Sequence, residues 1–205
     1  MLNSLKIISI VGCTALLVGC SPLAPVKNTP ANYYMISDIN PDPKPVTPTS
    51  LSLLVTMNSS LAGLDNTNMA YMQRPYQVEY FAENFWLQPP AKMLLPLTIA
   101  SLQKTQRFKL VEAPPYLGKT DLHLKLTLLY LYEDFMSKPV TERMGVRATL
   151  VDVRTNEVLG TEVLHLIAAT PSDNPYGGVQ AANAATIKML EGLSSFVITH
   201  SNKAL

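Results

Sequence analysis

The stretch from Leu122 to Tyr132 limits the fold more than any other part of the sequence. Every second residue in it is Leu or Tyr, namely Leu122, Leu124, Leu126, Leu128, Tyr130 and Tyr132. Because successive side chains of a strand point to opposite faces, this alternation predicts one long β-strand with these six residues on one face. Leu129 and Leu131 are apolar as well, so we expect both faces to be covered near the end of the strand.

Two more strands are predicted directly after it, from Arg143 to Arg154 and from Val158 to Ala168. The hairpin connection between them, Thr155-Asn156-Glu157, contains an asparagine that can take a left-handed turn position. The three strands should therefore form an antiparallel meander. A C-terminal amphipathic helix is predicted to pack on it, because residues of its inner stripe recur at steps of three and four: Val179, Ala182, Thr186, Met189, Leu193, Phe196 and Val197.

The first half of the chain alternates shorter predicted elements. Strands are expected at Tyr33–Ile36, Leu51–Met57 and Phe108–Val111, with a helix from Ala91 to Gln106 that follows Pro89-Pro90. Pro96 should bend this helix or mark its true start. Together these elements predict an α/β (α+β) fold, a single domain in which two main helices pack on a sheet that ends in the meander.

Aromatic residues are concentrated between Met69 and Trp86, which holds six of the chain's fifteen. Such a cluster can form a ligand platform, but strands use aromatic side chains routinely for packing. Core packing and strand pairing are the favoured interpretation.

The N-terminus has the order of a secretory signal. Lys6 is followed by an uncharged, mostly apolar run, and the fourteen residues from Ile7 to Cys20 are too few to cross ~30 Å of hydrocarbon as a helix. The run ends in Leu17-Val18-Gly19-Cys20, which resembles the lipobox of bacterial lipoproteins. The resemblance implies that residues 1–19 are removed and that Cys20 receives a diacylglyceryl group and an N-acyl group. The alternatives are an ordinary signal peptide that contains a cysteine and a short hydrophobic anchor.

Removal of the signal changes what the chain can do. It takes away Cys13, the other cysteine, so no disulfide is expected. The chain has sixteen Lys and Arg residues, and losing Lys6 leaves fifteen against fifteen Asp and Glu. A neutral protein has no evident electrostatic attraction to nucleic acid or to an anionic membrane surface.

A proline-rich segment follows the proposed anchor. Seven of the sixteen prolines lie between Ser21 and Ser50, at positions 22, 25, 30, 41, 43, 45 and 48. Residues 20–32 are therefore interpreted as the lipidated N-terminus and a stiffened tether, and residues 33–205 as the domain.

Candidate catalytic and metal-binding residues are few. The three histidines, His123, His165 and His200, have no cysteine or carboxylate neighbour at ligand spacing. His123 and His165 are on predicted strands and could meet across the sheet, although surface or packing roles are favoured.

Other candidate motifs also favour structural roles. Glu133 and Asp134 are adjacent in a strand, so they should point to opposite faces and not share a proton. Gly177-Gly178 is interpreted as a hinge or cap before the last helix. No Gly-x-Ser-x-Gly elbow, phosphate-binding glycine loop or Cys-x-x-Cys pair occurs. We therefore expect no enzymatic activity, no catalytic residue, no metal site and no cofactor.

The order of the motifs resembles that of the ABC-type transport auxiliary lipoproteins, the family that includes the lipoprotein of the paraquat-inducible intermembrane transport system. Besides the lipobox, the likeness rests on Tyr33-Tyr34, on the segment from Met69-Ala-Tyr-Met-Gln-Arg74 through Phe85-Trp86, and on Leu150 to Leu159 before an alanine-rich helix from Val179 to Ile198. It covers nearly the whole chain after the signal.

The resemblance implies a mixed sheet with helices against it and a role without chemistry of its own. The protein would work with a periplasmic MCE-domain protein, an ABC permease and an ATPase that move lipids or other apolar compounds between membranes, and it would be able to form homo-oligomers. Ser21 after Cys20, in place of an aspartate, favours an outer-membrane anchor facing the periplasm. The alternative function is an outer-membrane lipoprotein that regulates a peptidoglycan synthase or another envelope-assembly machine.

Overall fold

The computed structural model describes residues 30–37, 46–116 and 118–205, and residues 31–205 form one compact unit. The strands are β1 Asn32–Tyr34, β2 Ser52–Ser59, β3 Asn68–Arg74, β4 Gln77–Trp86, β5 Leu110–Glu112, β6 Leu122–Asp134, β7 Thr141–Asp152 and β8 Glu157–Ala169. The helices are α1 Pro90–Lys104 and α2 Pro175–Ser201, and two short 3-10 turns cover Ala62–Leu64 and Asn202–Ala204.

All eight strands belong to one mixed sheet built around β6. On one edge β6 pairs antiparallel with β7, which pairs antiparallel with β8, so the predicted meander is confirmed. On the other edge β6 pairs parallel with β2 from Leu122 to Leu128 and with β3 at Glu133 and Asp134. Strand β5 lies outside β2, while β4 and then β1 lie outside β3. Residues 129–132 of β6 therefore lie between two parallel partners and pair with neither.

A β-bulge reverses the side-chain alternation of β6 at Leu129. Leu128 pairs with Val146 and Tyr130 with Gly145, so one extra residue is inserted into β6. Before the bulge the even-numbered leucines face the core, whereas after it Leu131 takes over the core position. The predicted face of six residues was therefore wrong for Tyr130 and Tyr132, which lie on the opposite face.

Both helices pack on the face of the sheet that carries Leu53, Val55 and Leu122. All seven residues of the predicted stripe of α2 are buried, so that prediction is confirmed. The helix begins three residues before Gly178, at Pro175, because the side chain of Asn174 accepts a hydrogen bond from the Gly177 amide and caps it. Helix α1 begins at Pro90 and continues past Pro96, which therefore does not mark its start.

Local turn chemistry also agrees with the sequence. Asn156 in the β7–β8 connection has φ 58°, the left-handed conformation that asparagine tolerates. The predicted fold class is confirmed: one mixed sheet that ends in an antiparallel meander, with two main helices against it.

Candidate functional site

The residue with the clearest predicted role, Cys20, lies outside the described residues. The proposed signal and most of the tether lie outside them as well, and lipidation stays a prediction. Among the described residues no helix is both long enough and apolar enough to cross a membrane.

The histidines do not meet. His123 lies on β6, opposite Val151 of β7. His165 lies on β8, opposite Gly145 of β7, and Gly145 in turn lies opposite Tyr130, which is seven residues after His123 on β6. At about 3.3 Å per residue the two imidazoles are roughly 20 Å apart along the sheet.

Each histidine has a local partner. His123 Nε2 lies 2.9 Å from Thr56 Oγ1, and His165 Nδ1 lies 2.7 Å from the Tyr130 hydroxyl. His200 Nδ1 donates to the Phe196 carbonyl and the ring packs over Gly160. In the described part of the chain no three His, Cys, Asp or Glu residues are placed to hold a metal ion.

Glu133 and Asp134 point to opposite faces, as predicted. Asp134 accepts a 2.6 Å hydrogen bond from Arg143 Nε. Glu133 points to the face that α2 covers, where it is only 1% exposed, and neither of its carboxyl oxygens has a hydrogen-bond partner.

The carboxyl group that neighbours Glu133 belongs to Glu142, directly across the antiparallel ladder on β7. Glu142 is 3% exposed and shares the site beneath the first turn of α2. The two residues are nine positions apart, and only the register shift at the bulge brings them opposite each other on the helix-covered face. Sequence analysis missed this pair, because the predicted alternation would have placed Glu133 on the other face.

Burial determines the protonation of this pair. Removal from water and, as a smaller contribution, the nearby charge of Asp173 together raise the pKa of Glu133 to about 7. Burial, followed by the proximity of Glu133, raises the pKa of Glu142 well above its usual range. Two neighbouring carboxylates that are both removed from solvent repel each other, so the pair holds at least one proton around neutral pH.

Gly177 and Gly178 lie inside the first turn of α2 instead of forming a hinge before it. A methyl group at Gly178 would lie 2.7 Å from Oε2 of Glu133 and 3.5 Å from Oε2 of Glu142. At Gly177 it would lie 2.0 Å from the Ser172 carbonyl oxygen. Gly177 is required because the helix approaches the backbone of the loop so closely, and a side chain at Gly178 would force the buried carboxyl group of Glu133 to move.

The aromatic residues of β3 and β4 divide between packing and exposure. Trp86 is in the core at 3% exposed, and the rings of Tyr71, Phe81 and Phe135 form a cluster with centroids 4.5 to 6.4 Å apart. The predicted packing role is confirmed for Tyr71, Phe81 and Trp86, and Phe135, directly after β6, joins the cluster of the first two. By contrast, Tyr76 and Tyr80 are exposed at the hairpin end, where β3 turns into β4.

An apolar cavity of about 170 Å³ lies beside residues 129–132 of β6, on the edge where neither β2 nor β3 pairs with them. Its walls come from residues 129–132 of β6, from β3 and β4, and from the connection after β2, with Leu61, Leu64, Ala70, Met72, Val78 and Tyr80 among the lining residues. Leu61, Val78 and Tyr80 at its rim are exposed. The gap between two parallel partners thus leaves an apolar depression that can take a small apolar group.

The other end of β4 carries a second group of aromatics. Strand β1 pairs parallel with β4, which places Tyr33 beside Phe85 and Tyr34 beside Trp86. The rings of Tyr33 and Phe85 stack with centroids 5.8 Å apart. Two aromatic pairs separated by about fifty residues in sequence therefore form one structural unit at the sheet edge.

Comparison with known proteins identifies the fold. No protein-family model and no curated protein sequence matches the chain. A Xanthomonas campestris protein described as DUF330 superposes with a TM-score of 0.75 at 15% identity, covering 84% of this chain and 98% of its own. A crystal structure described as an uncharacterized protein gives a TM-score of 0.64 at 14% identity, covering 82% and 99%.

A hypothetical protein from Chlamydia trachomatis gives a TM-score of 0.52 at 9% identity, covering 74% of this chain and 98% of its own. At these identities the likeness shows the fold alone. The described part of the chain has an architecture that it shares with the DUF330 protein over nearly the whole length of that protein.

Proposed function

We propose that this chain is a bacterial lipoprotein anchored through Cys20 to the outer membrane, and that it acts as a periplasmic accessory subunit of an MCE-type ABC system for intermembrane transport of lipids or other apolar compounds. It would bind and position a periplasmic partner, while the permease and the ATPase are separate polypeptides.

The observation that carries the proposal is the convergence of the motifs on which the family resemblance rests. Tyr33-Tyr34 and Phe85-Trp86 pair in parallel register. Met69 to Arg74 supplies most of β3, which joins this pair of strands to β6. The segment from Leu150 to Leu159 forms the turn of the meander, and the alanine-rich helix α2 packs against its strands. Segments far apart in sequence thus contribute to one sheet, which supports reading them as one family pattern.

The hairpin end of β3 and β4 suits the binding of an apolar partner or compound. Tyr76, Val78 and Tyr80 are exposed there, beside the cavity at β6. Exposed apolar side chains next to a concave apolar surface are typical of an interaction site. We assign the partner-binding role to this end of the domain.

Affinity purification from detergent-solubilised envelopes tests the proposal. The lipidated protein should recover an MCE-domain protein. The double variant Tyr76→Ser/Val78→Ser should recover at least several-fold less, because it removes apolar contacts at the centre of the proposed surface. The matched control is Val153→Ser/Val158→Ser, which removes two exposed valines at the β7–β8 turn.

The outcomes separate the parts of the proposal. Recovery of no MCE-type protein, under conditions that preserve other envelope complexes, would contradict the transport role. Recovery of a peptidoglycan synthase in its place would favour the alternative function. Equal recovery of the MCE-domain protein by the hairpin variant and the control would support this protein as the partner but exclude the hairpin end as its binding surface.

A further inference from the structure

An exposed apolar surface surrounds the end of β1. Tyr33, Met35 and Leu87 are 63%, 50% and 54% exposed, and we call these three residues the β1 edge patch. Met35 and Leu87 also line a depression of about 260 Å³, together with Ile36, Met93, Pro96 and Leu97. Three apolar side chains of the described residues are therefore exposed at this edge of the sheet, and two of them line the depression beside it.

The patch has the composition of surfaces found at a membrane interface. Tyrosine is favoured there because its ring is apolar and its hydroxyl can stay hydrated. The exposed side chain of Lys92 lines the same depression, and a lysine can bury its methylenes beside lipid while its ammonium group stays at the headgroups.

The position of the patch in the chain connects it to the anchor. Strand β1 begins at Asn32, only twelve residues after the proposed lipidated Cys20. Even a fully extended proline-rich tether of that length spans roughly 40 Å at most, at about 3.1 Å per residue. The tether therefore keeps the domain close to the bilayer. Because the domain is held there, even a weak contact between the domain and the bilayer is effectively intramolecular.

The two apolar ends of β4 differ in their distance from this attachment point. The patch includes Leu87, directly after β4, whereas Tyr76 directly precedes β4 at the hairpin end. The ten residues of β4 lie between them, and eleven steps at ~3.3 Å per residue correspond to roughly 36 Å. Contact of the patch with lipid would leave the hairpin end directed away from the membrane.

From these observations we infer that the β1 edge patch rests on the surface of the bilayer that holds the acyl anchor and so orients the domain on the membrane. The inference rests on the proposed lipid anchoring. It adds a defined membrane-facing surface, with Tyr33, Met35 and Leu87 at the lipid headgroups and the partner-binding end exposed to the periplasm.

Site-specific quenching in vesicles tests this orientation. With Cys13 removed and Cys20 acylated, one introduced cysteine is the single labelling site. The lipidated full-length protein carries a polarity-sensitive fluorophore at Tyr33→Cys or Leu87→Cys. The matched controls are Val78→Cys and Val158→Cys, which are 53% and 58% exposed. The vesicles contain phosphatidylethanolamine, phosphatidylglycerol and brominated lipid quenchers.

Labels at positions 33 and 87 should be quenched at least twofold more than labels at 78 and 158, with emission shifted to shorter wavelength. Equal or weaker quenching at 33 and 87, in protein that floats with the vesicles, overturns the inference and leaves the anchoring intact. If the wild-type protein does not float more than Cys20→Ser, the proposed anchoring fails and the inference fails with it.

Discussion

The two ends of the β6–β7 ladder each hold a pair of carboxyl groups, and the pairs behave in opposite ways. At one end Asp121 accepts hydrogen bonds from the amide and hydroxyl of Ser52, and Asp152 accepts two from the guanidinium of Arg154. These bonds lower the pKa of both aspartates. At the other end Glu133 and Glu142 are buried under α2, and their pKa values are raised.

The contrast shows that the depth of a carboxyl group and its hydrogen-bond partners together decide its charge. Asp152 and Glu142 are both 3% exposed, but Asp152 lies nearer the surface, where a guanidinium and backbone amides stabilise its anion and lower its pKa. Glu133 has no such donors. Stability at the aspartate end is therefore lost as the pH falls below about 4, whereas stability at the glutamate end is lost as the pH rises from about 4.5 to 7.

The largest effect is expected for Glu133→Gln. In the folded protein Glu133 keeps its proton up to about pH 7, whereas in the unfolded chain it loses the proton near its ordinary pKa of about 4.5. The wild type therefore loses stability between about pH 4.5 and 7. A shift of this size corresponds to about 3 kcal/mol at pH 8. The variant should gain up to that amount at pH 8 and change little at pH 4.5.

Urea unfolding followed by the fluorescence of Trp86, the single tryptophan, measures this difference. The matched control is Glu162→Gln, an exposed glutamate on β8, which should change stability by less than about 0.5 kcal/mol. If the stability of Glu133→Gln and of the wild type depended on pH in the same way, the raised pKa of Glu133 would be contradicted.

Gly178→Ala should destabilise the protein by about 2 kcal/mol, because the added methyl group overlaps Oε2 of Glu133. Gly192→Ala in the same helix is the control, since its methyl would meet only the flexible end of Leu164. In a Glu133→Ala background the cost of Gly178→Ala should fall sharply. An unchanged cost there would mean that the close approach to Glu133 is not what requires glycine.

Asp121→Ala should cost roughly 1 to 2 kcal/mol at pH 7, because the buried amide of Ser52 loses its acceptor. The lowered pKa of Asp121 means that this difference should shrink as the pH falls below about 4. Asp65→Ala, at an exposed position, serves as the comparison. A difference in stability that grew towards low pH would contradict the lowered pKa of Asp121.

The smallest effect is expected for Asn174→Ala, about 1 kcal/mol, since it removes the hydrogen bond that caps α2 at Gly177. The cap is uncharged, so the loss should be equal at pH 5 and pH 8. A loss confined to pH 8 would instead show that the cap acts through the neighbouring carboxyl pair.

Local patterns predicted the elements that depend on local physics. The alternation from Leu122 to Leu128 located β6, the three- and four-residue steps located α2, and Asn156 located the turn of the meander. These predictions succeed because side-chain direction within one element repeats with a fixed period. The separation of Glu133 from Asp134 follows from the same rule.

The pairing between strands that are distant in the chain could not be predicted from the sequence. The bulge at Leu129 depends on how β6 meets β7, and the gap beside it depends on β2 leaving β6 before β3 joins. The alternation alone therefore placed Tyr130 and Tyr132 on the wrong face. It could not show the cavity, because a cavity is a property of the elements that surround it.

What the sequence by itself predicted is both main helices, most of the strands and an anchor at Cys20 that stays a prediction, since each depends on residues close together in the chain. Only the tertiary structure decided that Glu133 opposes Glu142 and that Tyr33 stacks on Phe85. Register between distant strands follows from the total packing of the core, and a shift of one residue moves every later side chain to the other face.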